Sequence, residues 1–189
     1  PDGKTLAVAN LDGLTQIWDV ASQAVVQSLG SDAAPSKAVA YCQDGALLAT
    51  AGDEGVVTVW EVSSGEALFH LELGGIIHSL SASPDGTRLG AASEDGSVKI
   101  WDADTGQELL SLPAQSGMYD LAFLADGSLA TAGQDGVTRV WDTVSGQQTL
   151  SLAGHASTVI GVAGSLDGAR IATSGYDSTV RIWDARPGR

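Results

Sequence analysis

The sequence of 189 residues has one cysteine, few basic residues and no long apolar run. Cys42 alone cannot form an intrachain disulfide, which fits a reducing compartment, and we expect its thiol to be a small buried side chain. Nine Lys and Arg residues stand against 23 Asp and Glu residues, and the net charge of −14 disfavours binding to nucleic acid and to anionic membranes. No apolar segment approaches the roughly 18 residues that a membrane-spanning helix needs. We therefore expect a cytoplasmic protein that binds neither nucleic acid nor membrane, although the chain opens on Pro1 and is compatible with a leader upstream.

Residue patterns that carry catalysis or bind metals are also missing. The three histidines, His70, His78 and His155, lack the His-x-x-x-His spacing of a zinc site. Residues 102–106 (DADTG) begin like a calcium loop, but Pro113 stands where such a loop needs glutamate. The sequence has no glycine-rich phosphate loop and no nucleophile elbow. We therefore predict that these residues are not an enzyme and bind no metal or cofactor.

What the sequence does contain is a repeat. All five tryptophans recur at intervals of 40 to 42 residues, and an acidic residue follows each one. A period of about 40–45 residues with a Trp-Asp pair is typical of β-propeller blades. The tryptophans are Trp18, Trp60, Trp101, Trp141 and Trp183.

Each repeat predicts four short strands joined by tight turns. Within residues 119–152, the segments YDLAF, SLATAG, VTRVWD and QQTLSL alternate with ADG, QDG and VSG. Asp-Gly turns between alternating apolar runs are strong hairpin signals. A four-stranded sheet cannot bury both faces alone, so we expect the repeats to stack as blades around an axis.

These Trp-acid pairs and turns resemble the WD-repeat β-propellers over essentially the whole chain. The resemblance implies an all-β fold of four-stranded antiparallel blades, with about five blades, some incomplete, within residues 1–189. Because the chain enters at the first turn of a blade and ends before a fourth strand, we expect about 18 strands. Family members usually have seven blades and often close with an N-terminal strand. We thus expect one propeller domain that is part of a larger ring; the alternative is that two chains complete each other, and either case predicts self-association of the isolated chain through open sheet edges.

The resemblance also implies a hydrogen-bond network within a blade. In the family it links the tryptophan to a Ser or Thr, a His and an Asp, and the last repeat has all four as His155, Thr173, Asp177 and Trp183. A buried indole N–H needs an acceptor, which gives the network a physical reason. The Thr position is kept as Thr50 and Thr131 but is occupied by Val8 and Ala91 in the other repeats. We expect a complete network in one blade and partial networks elsewhere.

The family often binds partners through the residue just before the turn acid. Carried over, these positions predict a partner-binding face of Leu11, Asp53, Glu94, Gln134 and Tyr176. Tyr176 is the strongest candidate anchor, because aromatic residues are enriched among interface hot spots. Asp53 and Glu94 favour a basic or polar partner patch.

Two functions follow from the resemblance. The first is a non-catalytic scaffold that binds partner proteins or peptides through its loop faces. The alternative is the sensor or docking domain of a larger signalling enzyme, an ATPase or a protein kinase, whose catalytic domain lies outside this segment. WD-repeat arrays of that second kind occur in bacteria, and the preference for Arg over Lys together with abundant Ala and Gly points to a bacterial source.

Overall fold

The computed structural model describes residues 2–30, 35–113 and 116–185. These residues form eighteen strands in five antiparallel sheets, and one short 3-10 turn at Gln43–Gly45. The predicted all-β propeller fold of four-stranded blades, some incomplete, is confirmed. The strands are β1 (Thr5–Ala9), β2 (Thr15–Asp19), β3 (Ala24–Leu29), β4 (Ser36–Cys42), β5 (Leu47–Gly52), β6 (Val56–Glu61), β7 (Ala67–Glu72), β8 (Ile77–Ala82), β9 (Arg88–Ser93), β10 (Val98–Asp102), β11 (Glu108–Leu112), β12 (Met118–Phe123), β13 (Leu129–Gly133), β14 (Val137–Trp141), β15 (Gln148–Ala153), β16 (Val159–Gly164), β17 (Arg170–Gly175) and β18 (Val180–Asp184).

Each sheet is a run of strands that are consecutive in sequence. The first sheet contains β1–β3, the second β4–β7, the third β8–β11, the fourth β12–β15 and the fifth β16–β18. Strand β4 packs beside β8, β8 beside β12 and β12 beside β16. These four are the inner strands of the blades, and they place successive sheets side by side.

The core lies between neighbouring sheets. Ile17 of the first sheet packs with Leu48 of the second, and neither is more than 2% exposed. Ile100 of the third sheet packs with Met118 of the fourth, each 1% exposed. Burying one such side chain contributes about 1.5–3 kcal/mol. Cys42 is buried in the same way, and this burial raises the pKa of its thiol to about 12.

In the turn between the second and third strands of a blade, one residue adopts the left-handed backbone conformation, with positive φ. Gly136 has φ +76°, and a Cβ there would lie 3.1 Å from the carbonyl oxygens of His155 and Ser157. In the fifth sheet Ser178 occupies the same position with φ +62°. This conformation costs a non-glycine residue about 1–3 kcal/mol, so the contacts around Ser178 must offset it.

Each inner strand begins with a β-bulge. The pairing of β4 with β5 skips one residue between Ser36 and Ala38, and the same shift recurs in β8, β12 and β16. A bulge turns the extra residue out of the regular alternation of side chains. The four bulge residues are Lys37, His78, Tyr119 and Ile160.

The described part of the chain contains no helix long and apolar enough to cross a membrane.

Candidate functional site

The fifth sheet brings together the four side chains of the predicted network. Trp183 Nε1 donates to Thr173 Oγ1 at 2.9 Å. The same hydroxyl lies 2.8 Å from His155 Nε2, and His155 Nδ1 lies 2.9 Å from a carboxylate oxygen of Asp177. The chain of contacts therefore runs from β18 through β17 to the loop before β16 and the turn after β17.

The direction of each hydrogen bond follows from the chemistry of the groups. The indole N–H can only donate, so the Thr173 hydroxyl accepts it, and in the neutral imidazole with its proton on Nδ1 that hydroxyl donates to His155 Nε2. An ionised carboxylate can only accept, so His155 Nδ1–H donates to Asp177. The His155 side chain is 1% exposed, which means that these bonds have no competition from water.

Asp177 joins two loops at one end of the fifth sheet. Its carboxylate accepts the backbone N–H of Ala156 at 2.9 Å and the hydroxyl of Thr179 at 2.7 Å. These bonds, with that from His155, hold the pKa of the Asp177 carboxyl far below its ordinary range. The Tyr176 N–H donates to the Thr158 carbonyl at 2.9 Å, so the backbone beside this turn is fixed as well.

Within the described residues, the other sheets carry only part of this network. Trp60 Nε1 donates to Thr50 and Trp141 Nε1 donates to Thr131, each at 2.9 Å. In the third sheet the residue ten positions before the tryptophan is Ala91, which has no hydroxyl. Trp101 is nevertheless only 3% exposed and packs in the apolar core. Apolar packing therefore suffices to place a blade tryptophan.

The acid of the fourth sheet has a different partner. Asp135 forms an ion pair with Arg139 Nη2 at 2.6 Å, and this neighbour lowers the pKa of the carboxyl despite partial burial. In the third sheet the backbone passes closely through Gly74 and Gly75, and a Cβ at Gly75 would lie 2.5 Å from Ser93 Oγ. The groups next to this turn therefore differ between blades: an ion pair in the fourth sheet and closely approaching glycine backbone in the third.

A second, partly buried acid links three inner strands. Asp120 on β12 accepts the Ser79 hydroxyl of β8 at 2.6 Å and the Val162 N–H of β16 at 2.8 Å. Burial raises the pKa of the Asp120 carboxyl, while these hydrogen bonds oppose that effect. Asp120 therefore ties together the third, fourth and fifth sheets.

The five residues predicted to bind partners are all exposed. Leu11 and Tyr176 are the most open of the apolar and aromatic members, at 77% and 65%. Each of the five lies in the turn between the second and third strands of its blade. The antiparallel topology therefore places all five at the same face of the propeller. They are Leu11, Asp53, Glu94, Gln134 and Tyr176.

The four bulge residues join this surface, and sequence reasoning missed them. Lys37 forms an ion pair with Asp53, and His78 Nε2 lies 3.8 Å from Glu94 Oε2. His78 also stacks on Tyr119, with ring centroids 5.0 Å apart and planes 16° apart. The one signal in the sequence was their constant spacing of 41 residues, which by itself does not reveal a bulge. We call this surface the rim, defined as Lys37, His78, Tyr119, Ile160, Asp53, Glu94, Gln134 and Tyr176.

Hydrogen bonds fix the backbone of the rim. Backbone bonds fix its turn residues to the loop before the inner strand, from the Glu94 N–H to Ile76 O and from the Gln134 N–H to Gly117 O, both at 2.9 Å. Its side chains include charged, aromatic and apolar groups. Across residues 2–30, 35–113 and 116–185, no three His, Cys, Asp or Glu side chains form a metal-binding group.

Comparison with known families agrees with this architecture. The profile described as "WD domain, G-beta repeat" matches residues 146–184, and that of the "Anaphase-promoting complex subunit 4 WD40 domain" matches residues 39–126. No curated protein sequence matches the chain significantly. WD40 repeats generally mediate protein–protein interactions, and domains built from them are typically non-catalytic scaffolds. The chain belongs to the WD-repeat family of β-propeller proteins.

Proposed function

We propose that residues 1–189 act as a non-catalytic scaffold that binds partner proteins or peptides through the rim. The observation that carries this proposal is the repeated bulge-and-turn geometry, which holds eight side chains of mixed chemistry at one face of four consecutive blades. A surface fixed before binding loses little conformational entropy when a partner docks. Leu11 of the first blade extends the same face.

Tyr176 is the proposed anchor of the partner. Its side chain is 65% exposed, although its backbone N–H is bonded to Thr158. A rigid, exposed aromatic side chain offers a large contact area at a low entropic cost. Adjacent Asp177 is held by His155, so the network supports the position of this anchor.

The charge of the chain supports the kind of partner proposed. The net charge of −14 favours partners with basic or polar patches and opposes nucleic acid and anionic membranes. We propose that the protein acts in the bacterial cytoplasm, which is compatible with its single buried cysteine.

A tagged form of the protein used to capture partners from lysate of the source cells tests the scaffold function. We expect Tyr176→Ala to reduce recovery of the captured partners about tenfold or more, since hot-spot truncations cost at least about 2 kcal/mol. Val144→Ala is the matched control, because Val144 is 82% exposed in a turn at the opposite face. Equal recovery by wild type and Tyr176→Ala would place the binding surface elsewhere.

We also propose that the isolated chain self-associates through sheet edges. Val180 and Ile182 of β18 are 72% and 67% exposed, whereas their counterparts Val57 and Val59 of β6, which pack against residues of the third sheet, are at most 1% exposed. An exposed apolar surface on the outermost strand of a sheet invites association with another chain. Light scattering should show species larger than a monomer, and a sharply melting monomer would contradict this.

From the family resemblance we propose further that residues 1–189 form one domain within a ring of about seven blades.

The same rim could serve as the docking domain of a larger signalling enzyme. Sequencing the coding DNA on both sides of this segment separates the two functions. A phosphate-binding loop or kinase motifs upstream would assign the sensor role, and about two further Trp-Asp repeats followed by a stop codon would assign the free-standing scaffold.

A further inference from the structure

The chemistry of the rim changes in one direction from blade to blade. In the second blade Lys37 faces Asp53, and the two charges neutralise each other. The third blade pairs His78 with Glu94. The fourth and fifth blades place Tyr119 with Gln134 and Ile160 with Tyr176 at the equivalent positions. The rim is therefore charged at one end and apolar at the other.

Glu94 is the acid of the rim best placed to bind a cation from outside. Its side chain is 52% exposed, and its contact with His78 Nε2, at 3.8 Å, is longer than a hydrogen bond. Asp53, the other acid of the rim, already binds Lys37. Among the rim residues, a basic side chain arriving at this face is therefore directed to Glu94.

The apolar end of the rim provides a separate anchor point. Ile160 is 38% exposed and Tyr176 is 65% exposed, and both belong to the fifth blade. Tyr119 lies between this pair and Glu94 along the rim, with one ring face stacked on His78. An apolar side chain that covers Ile160 and Tyr176 removes apolar surface from water two blades away from Glu94.

We propose that the rim binds an extended peptide segment in which an apolar or aromatic side chain packs on Ile160 and Tyr176 while a Lys or Arg side chain pairs with Glu94. Side chains on one side of an extended peptide repeat every second residue, so the two anchors are separated by an even number of positions. An acidic residue at the second anchor is repelled by Glu94 and by the net charge of the protein. This inference rests on the rim being the partner site and adds the chemistry of the partner.

Labelled heptapeptides test the chemistry directly. The parent probes are Ala-Phe-Ala-Ala-Ala-Arg-Ala and Ala-Ala-Phe-Ala-Arg-Ala-Ala. Variant probes have Gln or Glu in place of Arg, or Ser in place of Phe. Binding of each probe to the whole 189-residue chain is measured by fluorescence anisotropy. We expect Arg to be preferred over Gln by about twofold to fivefold, the range of an exposed ion pair. Glu in that place should bind more weakly still, and Ser in place of Phe should weaken binding by about tenfold.

Variants locate the two anchors. Glu94→Gln should remove the preference for Arg over Gln and leave the preference for Phe over Ser, whereas Tyr176→Ala should do the reverse. Glu66→Gln is the matched control, because it removes the same charge from an exposed residue in a turn at the opposite face. Added salt should weaken the Arg preference and spare the Phe preference.

The outcomes separate this inference from the proposed function. Equal binding of the Arg, Gln and Glu peptides, an Arg preference that survives Glu94→Gln, or no binding of any peptide at millimolar concentration overturns the partner chemistry. Such a result leaves the scaffold function standing if Tyr176→Ala still abolishes partner capture. Loss of the scaffold function shows instead as partner capture that is indifferent to Tyr176→Ala.

Discussion

The third and fifth sheets solve the same structural problem by different means. In the fifth sheet, Trp183 donates to Thr173 and the hydrogen bonds continue through His155 to Asp177. In the third sheet the hydroxyl position is Ala91, and Trp101 is held by the apolar core at 3% exposure. A blade therefore does not need the network in order to form. What the network adds is a fixed link between the two loops that flank Tyr176.

The largest effect is expected where one side chain holds several sheets. Asp120→Ala leaves the Ser79 hydroxyl and the Val162 N–H without their acceptor. Each unsatisfied buried group costs about 1–3 kcal/mol, so we expect a loss of about 2–4 kcal/mol in the free energy of unfolding. Urea denaturation measures it. Asp120→Asn keeps an acceptor oxygen for Ser79 and should cost less, and equal losses for the two variants would argue against the bridging role.

Removing the centre of the complete network should have the next largest effect. His155→Ala leaves Thr173 and Asp177 without a shared partner and should lower the free energy of unfolding by about 1–3 kcal/mol. His70→Ala is the control, because His70 is exposed and its side chain has, within the described residues, a single hydrogen bond, to Thr58 at 3.2 Å. A melting temperature unchanged by His155→Ala would show that the network does not stabilise the fifth sheet.

A matched pair of tryptophan substitutions sharpens the comparison between packing and hydrogen bonding. Trp141 and Trp101 are 4% and 3% exposed, but only Trp141 donates to a threonine hydroxyl, that of Thr131. Phenylalanine keeps most of the apolar packing and removes the indole N–H. Trp141→Phe should therefore cost about 1 kcal/mol more than Trp101→Phe, the typical net value of one hydrogen bond. Equal changes in chemical denaturation would mean that the threonine bond contributes nothing.

The smallest effect is a pair of opposite pH dependences. The folded pKa of Asp177 is lowered, so its contribution to stability is present above the unfolded pKa of about 4 and is lost as pH falls. The folded pKa of Asp120 is raised, so its contribution is lost as pH rises through that pKa. Between pH 3 and pH 7, Asp177→Asn should make stability rise less with pH, and Asp120→Asn should make it rise more. Changes of the same sign in both variants would contradict these assignments.

Local sequence patterns predicted most of the strands and turns within a blade. Asp-Gly turns and alternating apolar residues predicted the strands of residues 119–152 to within one residue of the observed β12–β15. The members of the complete network could be predicted for a similar reason, because His155 and Asp177 lie at set numbers of residues before Trp183 in the repeat. The exposed turn residues could be predicted too, and their role in binding stays a prediction.

The sequence by itself determined the repeat, since each blade is a local unit whose turns and tryptophan recur every 40 to 42 residues. Only the tertiary structure decided how the blades meet. The bulges that turn Tyr119 and Ile160 onto the rim depend on pairing between strands, and no residue type marks them. The bonds from Asp120 to Ser79 and Val162 join residues 41 and 42 positions away in neighbouring blades, and such contacts exist only once the inner strands lie side by side.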